Sequence, residues 1–147
     1  QEGLVVAPGN RKHIRSTADL VRADVRIVNR EAGSGSRTLL DRLLEREGIE
    51  ARQVRGYETV AFGHLAAAQA VVAGTADVCL ATESAARGFG LGFVALRTER
   101  YDFVMRKDAA ALPEVRAFCD VLQRASVRRK IAVLAGYAAR DTGALIA

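Results

Sequence analysis

The feature that most constrains this chain is an alternation along its length. Short valine-rich runs alternate with segments whose apolar residues recur at helical spacing. Residues 3–7, 25–29, 77–81, 93–97 and 101–106 read as strands, with a shorter one at 53–56. Residues 37–47, 64–73, 83–87, 112–124 and 127–135 read as helices, and Ser16 with Asp19 has the spacing of a cap for a short helix through residue 22. Leu39, Leu40, Leu43 and Leu44 form one stripe of the first long helix, and Asp41, Arg42, Glu45 and Arg46 form its polar face. The helix at 64–73 is apolar nearly all round, which predicts burial against a sheet. The strand at 77–81 lacks polar alternation, as a strand covered on both faces would. This order predicts an α/β fold with a mostly parallel sheet and helices on both faces.

Composition narrows the classes further. A chain of 147 residues suits one domain or one two-lobed unit, with hydrophobic residues at 50% and charged residues at 27%. That balance excludes a disordered chain. Cys79 and Cys119 form no CxxC pair, which excludes a disulfide scaffold and a classical zinc module, and no histidine spacing predicts a metal site. Both cysteines read as core packing. Trp is absent and Phe plus Tyr number 8, against an aromatic platform for stacking bases. The net charge is +5, with 19 of the 22 basic residues Arg, but most of these alternate with acids. Arg128-Arg129-Lys130 is the nearest thing to a cluster, so direct DNA contact by this chain is not expected. No charged leader precedes an apolar run, and no apolar stretch approaches the roughly 18 residues of a membrane helix. A cytoplasmic location without membrane contact is expected. The chain starts without Met, directly on a strand, which reads as a piece of something longer.

The most informative segment runs from the strand end at Val28-Asn29 through Gly33-Ser34-Gly35-Ser36 into Arg37 and the first long helix. Ligands of open α/β sheets bind at the carboxyl ends of strands, and a helix N-terminus offers unpaired N–H groups. Glycines allow close approach, serines add hydroxyls and Arg37 adds a forked cation. The spacing suits an anion site; it also suits a plain N-cap with a flexible turn. A P-loop is excluded because no Gly-Lys-Ser/Thr follows, and a dinucleotide fingerprint because position 38 is Thr. His64 opens the apolar helix as a cap or a ligand contact. Glu83 follows a strand end, where it either complements the helix dipole or faces a site. Tyr101 either reaches a cleft or packs at a sheet edge. No nucleophile, base and carboxylate set is apparent, so no enzyme activity and no cofactor are predicted.

A resemblance adds to this reading. Asn29-Arg-Glu-Ala-Gly-Ser-Gly-Ser-Arg37, Leu39-Leu40-Asp41, Gly56-Tyr57-Glu58, His64-Leu-Ala-Ala-Ala68, Gly74-Thr-Ala-Asp77 and Glu99-Arg-Tyr-Asp102 occur in that order. Together they resemble the periplasmic-binding-protein type II-like domain that is fused to molybdopterin-biosynthesis proteins and to helix-turn-helix regulators. That domain is similar to the molybdate- and tungstate-binding proteins of importers. The family carries Thr where this chain has Ser36, and Pro where it has Arg11. The resemblance implies two lobes around a cleft: residues 1–17 and 94–147 as part of an incomplete first lobe, and residues 18–93 as the second. It implies ligand contacts from Gly33, Ser34, Gly35, Ser36 and Arg37, with Tyr57, His64, Glu83 and Tyr101 near the cleft. The expected function is a sensor domain for a small oxyanion, molybdate or tungstate, with an effector fused upstream and a homodimer as one possible assembly. The alternative is an accessory domain or enzyme of molybdenum-cofactor biosynthesis that binds a pterin or nucleotide.

Overall fold

The computed structural model describes residues 1–146. The chain divides into a first unit, Gln1–Thr98, and a second beginning at Glu99. The first unit is built on five strands: β1 (Glu2–Val6), β2 (Ile27–Arg30), β3 (Val60–Ala61), β4 (Val78–Thr82) and β5 (Gly92–Arg97), in the spatial order β3-β2-β4-β1-β5. Three helices intervene: α1 (Gly35–Arg46), α2 (His64–Val72) and α3 (Glu83–Gly88).

The α/β class and the placement of helices on both faces follow the sequence pattern. The sheet itself is mixed rather than mostly parallel. β2 runs parallel to β3 and β4, whereas β1 is antiparallel to both β4 and β5. Inserted between two strands of one direction, β1 brings its first residues to the edge where β2 and β4 end: Glu2 pairs with Thr82 and with Arg97.

Period-two alternation sorts the core into two layers. Leu4, Val6, Ile27, Val78 and Leu80 face one side, where Leu39, Leu40 and Leu44 of α1 cover them. Val5, Val28, Cys79 and Ala81 face the other, against Ala67, Ala68 and Val71 of α2 and Ala85 and Ala86 of α3. Large side chains fill the first layer, and small ones let α2 and α3 approach the sheet closely. α2 is nonetheless not buried all round: Leu65 is 64% and Val72 54% exposed.

Two expected strands are absent among the described residues. Residues 53–56 turn instead, with Gly56 at φ 88°, and the short strand β3 follows at Val60–Ala61. Residues 101–106 pair with no strand, and Tyr101 and Val104 are 86% and 95% exposed. The second unit carries helices α4 (Pro113–Gln123) and α5 (Ala125–Ala132), and none of its described residues is buried. Among the described residues no helix is long and apolar enough to cross a membrane.

Candidate functional site

The carboxyl edge of β2 and β4 is where α1, α2 and α3 all begin, which gathers three helix N-termini on one side of the sheet. α1 follows β2 after a four-residue bend. Gly33 takes φ 85°, a left-handed conformation that side chains disfavour, and no heavy atom lies within 4 Å of where a Cβ would stand at Gly33 or at Gly35. The bend is therefore open on its outer side.

Its serine hydroxyls are already engaged. Ser34 caps α1: its Oγ accepts from the Arg37 amide at 3.2 Å and donates to the Glu31 carbonyl at 2.9 Å. Its own amide also donates to Glu31, at 3.2 Å. Ser36 turns inward, 1% exposed, and its hydroxyl donates to Glu2 Oε1 at 2.9 Å. Arg37 lies along the helix. Its Nε donates to both Asp41 oxygens, at 3.1 and 3.2 Å, and its guanidinium stacks 4.2 Å above the Tyr57 ring. The Tyr57 hydroxyl donates to the same Asp41. Burial works against the Arg37 charge, but Tyr57 and Asp41 outweigh it and raise its pKa above the usual range. Burial, then the bond to Asp41, raises that of Tyr57. What the bend keeps are backbone donors: among the described residues the Gly35 and Ser36 amides make no hydrogen bond.

Beside the bend is a polar cluster that sequence reading did not single out. Arg30 ends β2 and is 6% exposed. Its fork holds Glu31 through two bonds of 2.8 Å, and its Nη1 donates to His64 Nδ1 at 2.9 Å. An arginine donates only, so Nδ1 is the acceptor and a neutral His64 carries its proton on Nε2, 3.9 Å from Glu2 Oε1. The bonds to Glu31 hold Arg30 charged, above its usual range. In return the Arg30 bonds hold the Glu31 carboxyl down at about 2. Glu31 also accepts from the Gly63 amide at 3.3 Å, so the N-terminus of α2 already has an acid supplied by the chain.

The structure thus brings Gly33, Ser34, Gly35, Ser36 and His64 together with Glu2, Arg30 and Glu31. Glu83 opens α3 on the same edge, its amide donating to the Gln1 carbonyl at 3.1 Å and its carboxylate paired with Arg87 at 3.1 Å. Tyr57 meets the bend through Arg37, and its carbonyl accepts from the buried Asn29 at 3.1 Å. Tyr101 belongs to the second unit, where its ring packs edge-on to Phe103 at 5.6 Å. The adjacent opposite charges Arg30 and Glu31 at a strand end were a readable signal. Nothing local marks Glu2, because its partner Ser36 lies 34 positions away.

A separate groove of about 360 Å³ runs along the C-terminal half of α1, lined by Asp41, Leu44, Glu45, Ile49, Glu50 and Tyr57. Its carboxylates and the negative end of the helix dipole disfavour an anion there. Among the described residues no three His, Cys, Asp or Glu side chains are grouped to hold a metal ion.

An α/β sheet whose carboxyl edge gathers helix N-termini and a buried polar cluster is the frame of a ligand-binding domain. Residues 1–123 match the PBP superfamily domain, and the chain belongs to that family. It is 38% identical over 144 residues to a Bacillus subtilis (strain 168) protein described as uncharacterized protein YvgK, covering 98% of this chain and 46% of that protein. The chain thus spans less than half the length of that relative. A Clostridium pasteurianum protein, described as an uncharacterized protein in the ferredoxin 2Fe-2S gene 5' region, is 28% identical over 109 residues, 74% of this chain and 96% of that one. Among solved structures, the ancestral amino-acid-binding protein AncCDT-1, a precursor of cyclohexadienyl dehydratase, is similar at 20% identity and a TM-score of 0.45, covering 65% of this chain and 39% of its own.

Proposed function

We propose that the first unit holds a small oxyanion at the carboxyl edge where α1 begins, with molybdate and tungstate the leading guests. The observation that carries this reading is the open bend: Gly33 and Gly35 have clear space outside them, and the two amides that follow have no partner among the described residues. A compact tetrahedral anion needs only such donors at a helix N-terminus, without a metal or a base. The engaged Ser34, Ser36 and Arg37 side chains hold the bend in shape rather than wrap the guest. In this reading the chain is a cytoplasmic sensor domain, and occupancy biases an effector elsewhere in a longer protein. Calorimetry with molybdate, tungstate, sulfate and phosphate tests it. Heat from the oxyanions that disappears in Gly35→Pro supports it; no binding of any of the four by the 147-residue chain contradicts it.

A second reading has its own observation. Phe62 is 78% and Leu65 64% exposed, on either side of Gly63 and His64. Apolar surface beside an anion site suits a larger ligand such as a pterin or a nucleotide. Competition decides between the two: a pterin or nucleotide that binds, and that weakens in Phe62→Ala, favours the larger guest.

A further inference from the structure

The groove beside the C-terminal half of α1 joins an apolar lining to a negative rim. Leu44, Ile49 and the Tyr57 ring supply the first, and the carboxylates of Asp41, Glu45 and Glu50 the second. Asp41 is held by Arg37 and Tyr57, and Glu50 pairs with Arg52 at 2.5 Å. The exposed Glu45 side chain has no partner among the described residues. The last turn of α1 adds the negative end of its dipole. Such a groove selects its occupant by charge and shape: an apolar stripe flanked by cations fits it.

The chain itself carries that stripe. Val127 and Ile131 lie one turn apart on α5, and each keeps part of its surface exposed. By helical spacing, Arg128 flanks them on one side and Lys130 on the other. Three carboxylates of the second unit are taken elsewhere, Asp102 by Arg100, Asp108 by Arg106 and Asp141 by Arg140. Arg128, Arg129 and Lys130 pair with no carboxylate among the described residues, and the Arg128 Nε is buried without an acceptor. The cations of α5 and the carboxylate of Glu45 are thus left unmatched in the same chain.

We infer that the groove receives α5 of a second copy of this chain, with Val127 and Ile131 on its apolar lining and Arg128 and Lys130 against Glu45 and Glu50. One eight-residue helix in a groove falls short of the roughly 1,200 Å² that a stable interface buries. The association is therefore weak, and it depends on concentration and on salt. It stands apart from the oxyanion reading, because the groove lies at the end of α1 opposite the bend.

Sedimentation velocity of the 147-residue chain, from about 10 μM to about 1 mM, tests this. The expected result is a mass that rises with concentration at low salt and falls back at high salt. Two charge-reversed chains are then compared, one with Glu45→Arg and Glu50→Arg, the other with Arg128→Glu and Lys130→Glu. Each alone is expected to raise the dissociation constant about tenfold or more. Mixed, they associate again, since the first still supplies α5 and the second still supplies the groove. Lys130→Glu alone, at an exposed position that leaves folding intact, weakens association in the same direction by a smaller factor. A chain that stays monomeric over the whole range overturns the inference, whether the groove then takes its own α5, a basic peptide of another protein or nothing. Association that both charge-reversed chains retain also overturns it, placing the interface elsewhere. So does a loss that mixing fails to recover.

Discussion

Replacing Ser36 with Ala tests the buried bond that joins α1 to β1. The substitution deletes one oxygen, so the void it leaves is small and the loss is electrostatic. Both partners are buried, Ser36 at 1% and Glu2 at 7% exposure, so water cannot replace the donor. A hydrogen bond to a charged acceptor contributes about 1.5–3 kcal/mol, against about 0.5–1.5 kcal/mol for a neutral one. Ser36→Ala is therefore expected to cost about 1.5–3 kcal/mol in the native background and about 1 kcal/mol less in Glu2→Gln, where the acceptor is neutral. Native-state hydrogen exchange of the Leu4, Val5 and Val6 amides reads this out for the first unit alone, since these buried residues lie in a strand paired on both sides, with β4 and with β5. Equal losses in the two backgrounds, or a loss below about 0.5 kcal/mol, would refute a charge-assisted bond at this position.

Other expectations follow from the same geometry. Gly56→Ala is expected to destabilise the first unit by at least about 1–3 kcal/mol in denaturant unfolding, because φ is 88° there and a Cβ would meet the Ile27 carbonyl oxygen; an unchanged midpoint would contradict this. The Glu31 carboxyl is held near about 2 against an ordinary 4.5, chiefly by the Arg30 bonds, so its folded value is depressed. Its contribution to stability is complete above about 4.5 and is lost as pH falls toward about 2. A carboxyl titration by NMR should show that low midpoint and an upward move in Arg30→Gln; a midpoint near 4.5 in the unaltered protein would be inconsistent with the fork. Burial pushes the Cys79 thiol up to about 12, while Cys119 is half-buried. A thiol reagent should therefore count one reacting cysteine in the native protein and two after denaturation.

The parts of the fold that were legible in the sequence are those set by local periodicity. The leucine stripe of α1 and the unbroken apolar run of β4 each point to a covered face; β4 is buried there, as are Leu39, Leu40 and Leu44, while Leu43 is half-buried at the margin. The direction of β1 was not legible, because it depends on pairing with Thr82 and Arg97, some eighty or more positions along the chain. Residues 101–106 carry apolar side chains but find no neighbouring strand, and β-propensity expresses itself only through such a neighbour. At the site, glycines and serines before a leucine stripe marked the bend and the start of α1. They did not show that the Ser34 and Ser36 hydroxyls face their own chain, since that follows from Glu31 and from the distant Glu2. The hydroxyl of Ser36 is spent where the backbone of Gly35 is open, and only coordinates separate the two.

The central claim is that backbone donors at the start of α1 receive a small oxyanion. Amide chemical shifts recorded during a molybdate titration address it most directly. The account predicts saturable shifts at Gly33, Gly35 and Ser36, with a smaller response at His64 and none along the acidic groove at Glu45 to Ala51. Saturable binding whose shifts fall in that groove or within α4 and α5, leaving Gly35 and Ser36 unmoved, would contradict it.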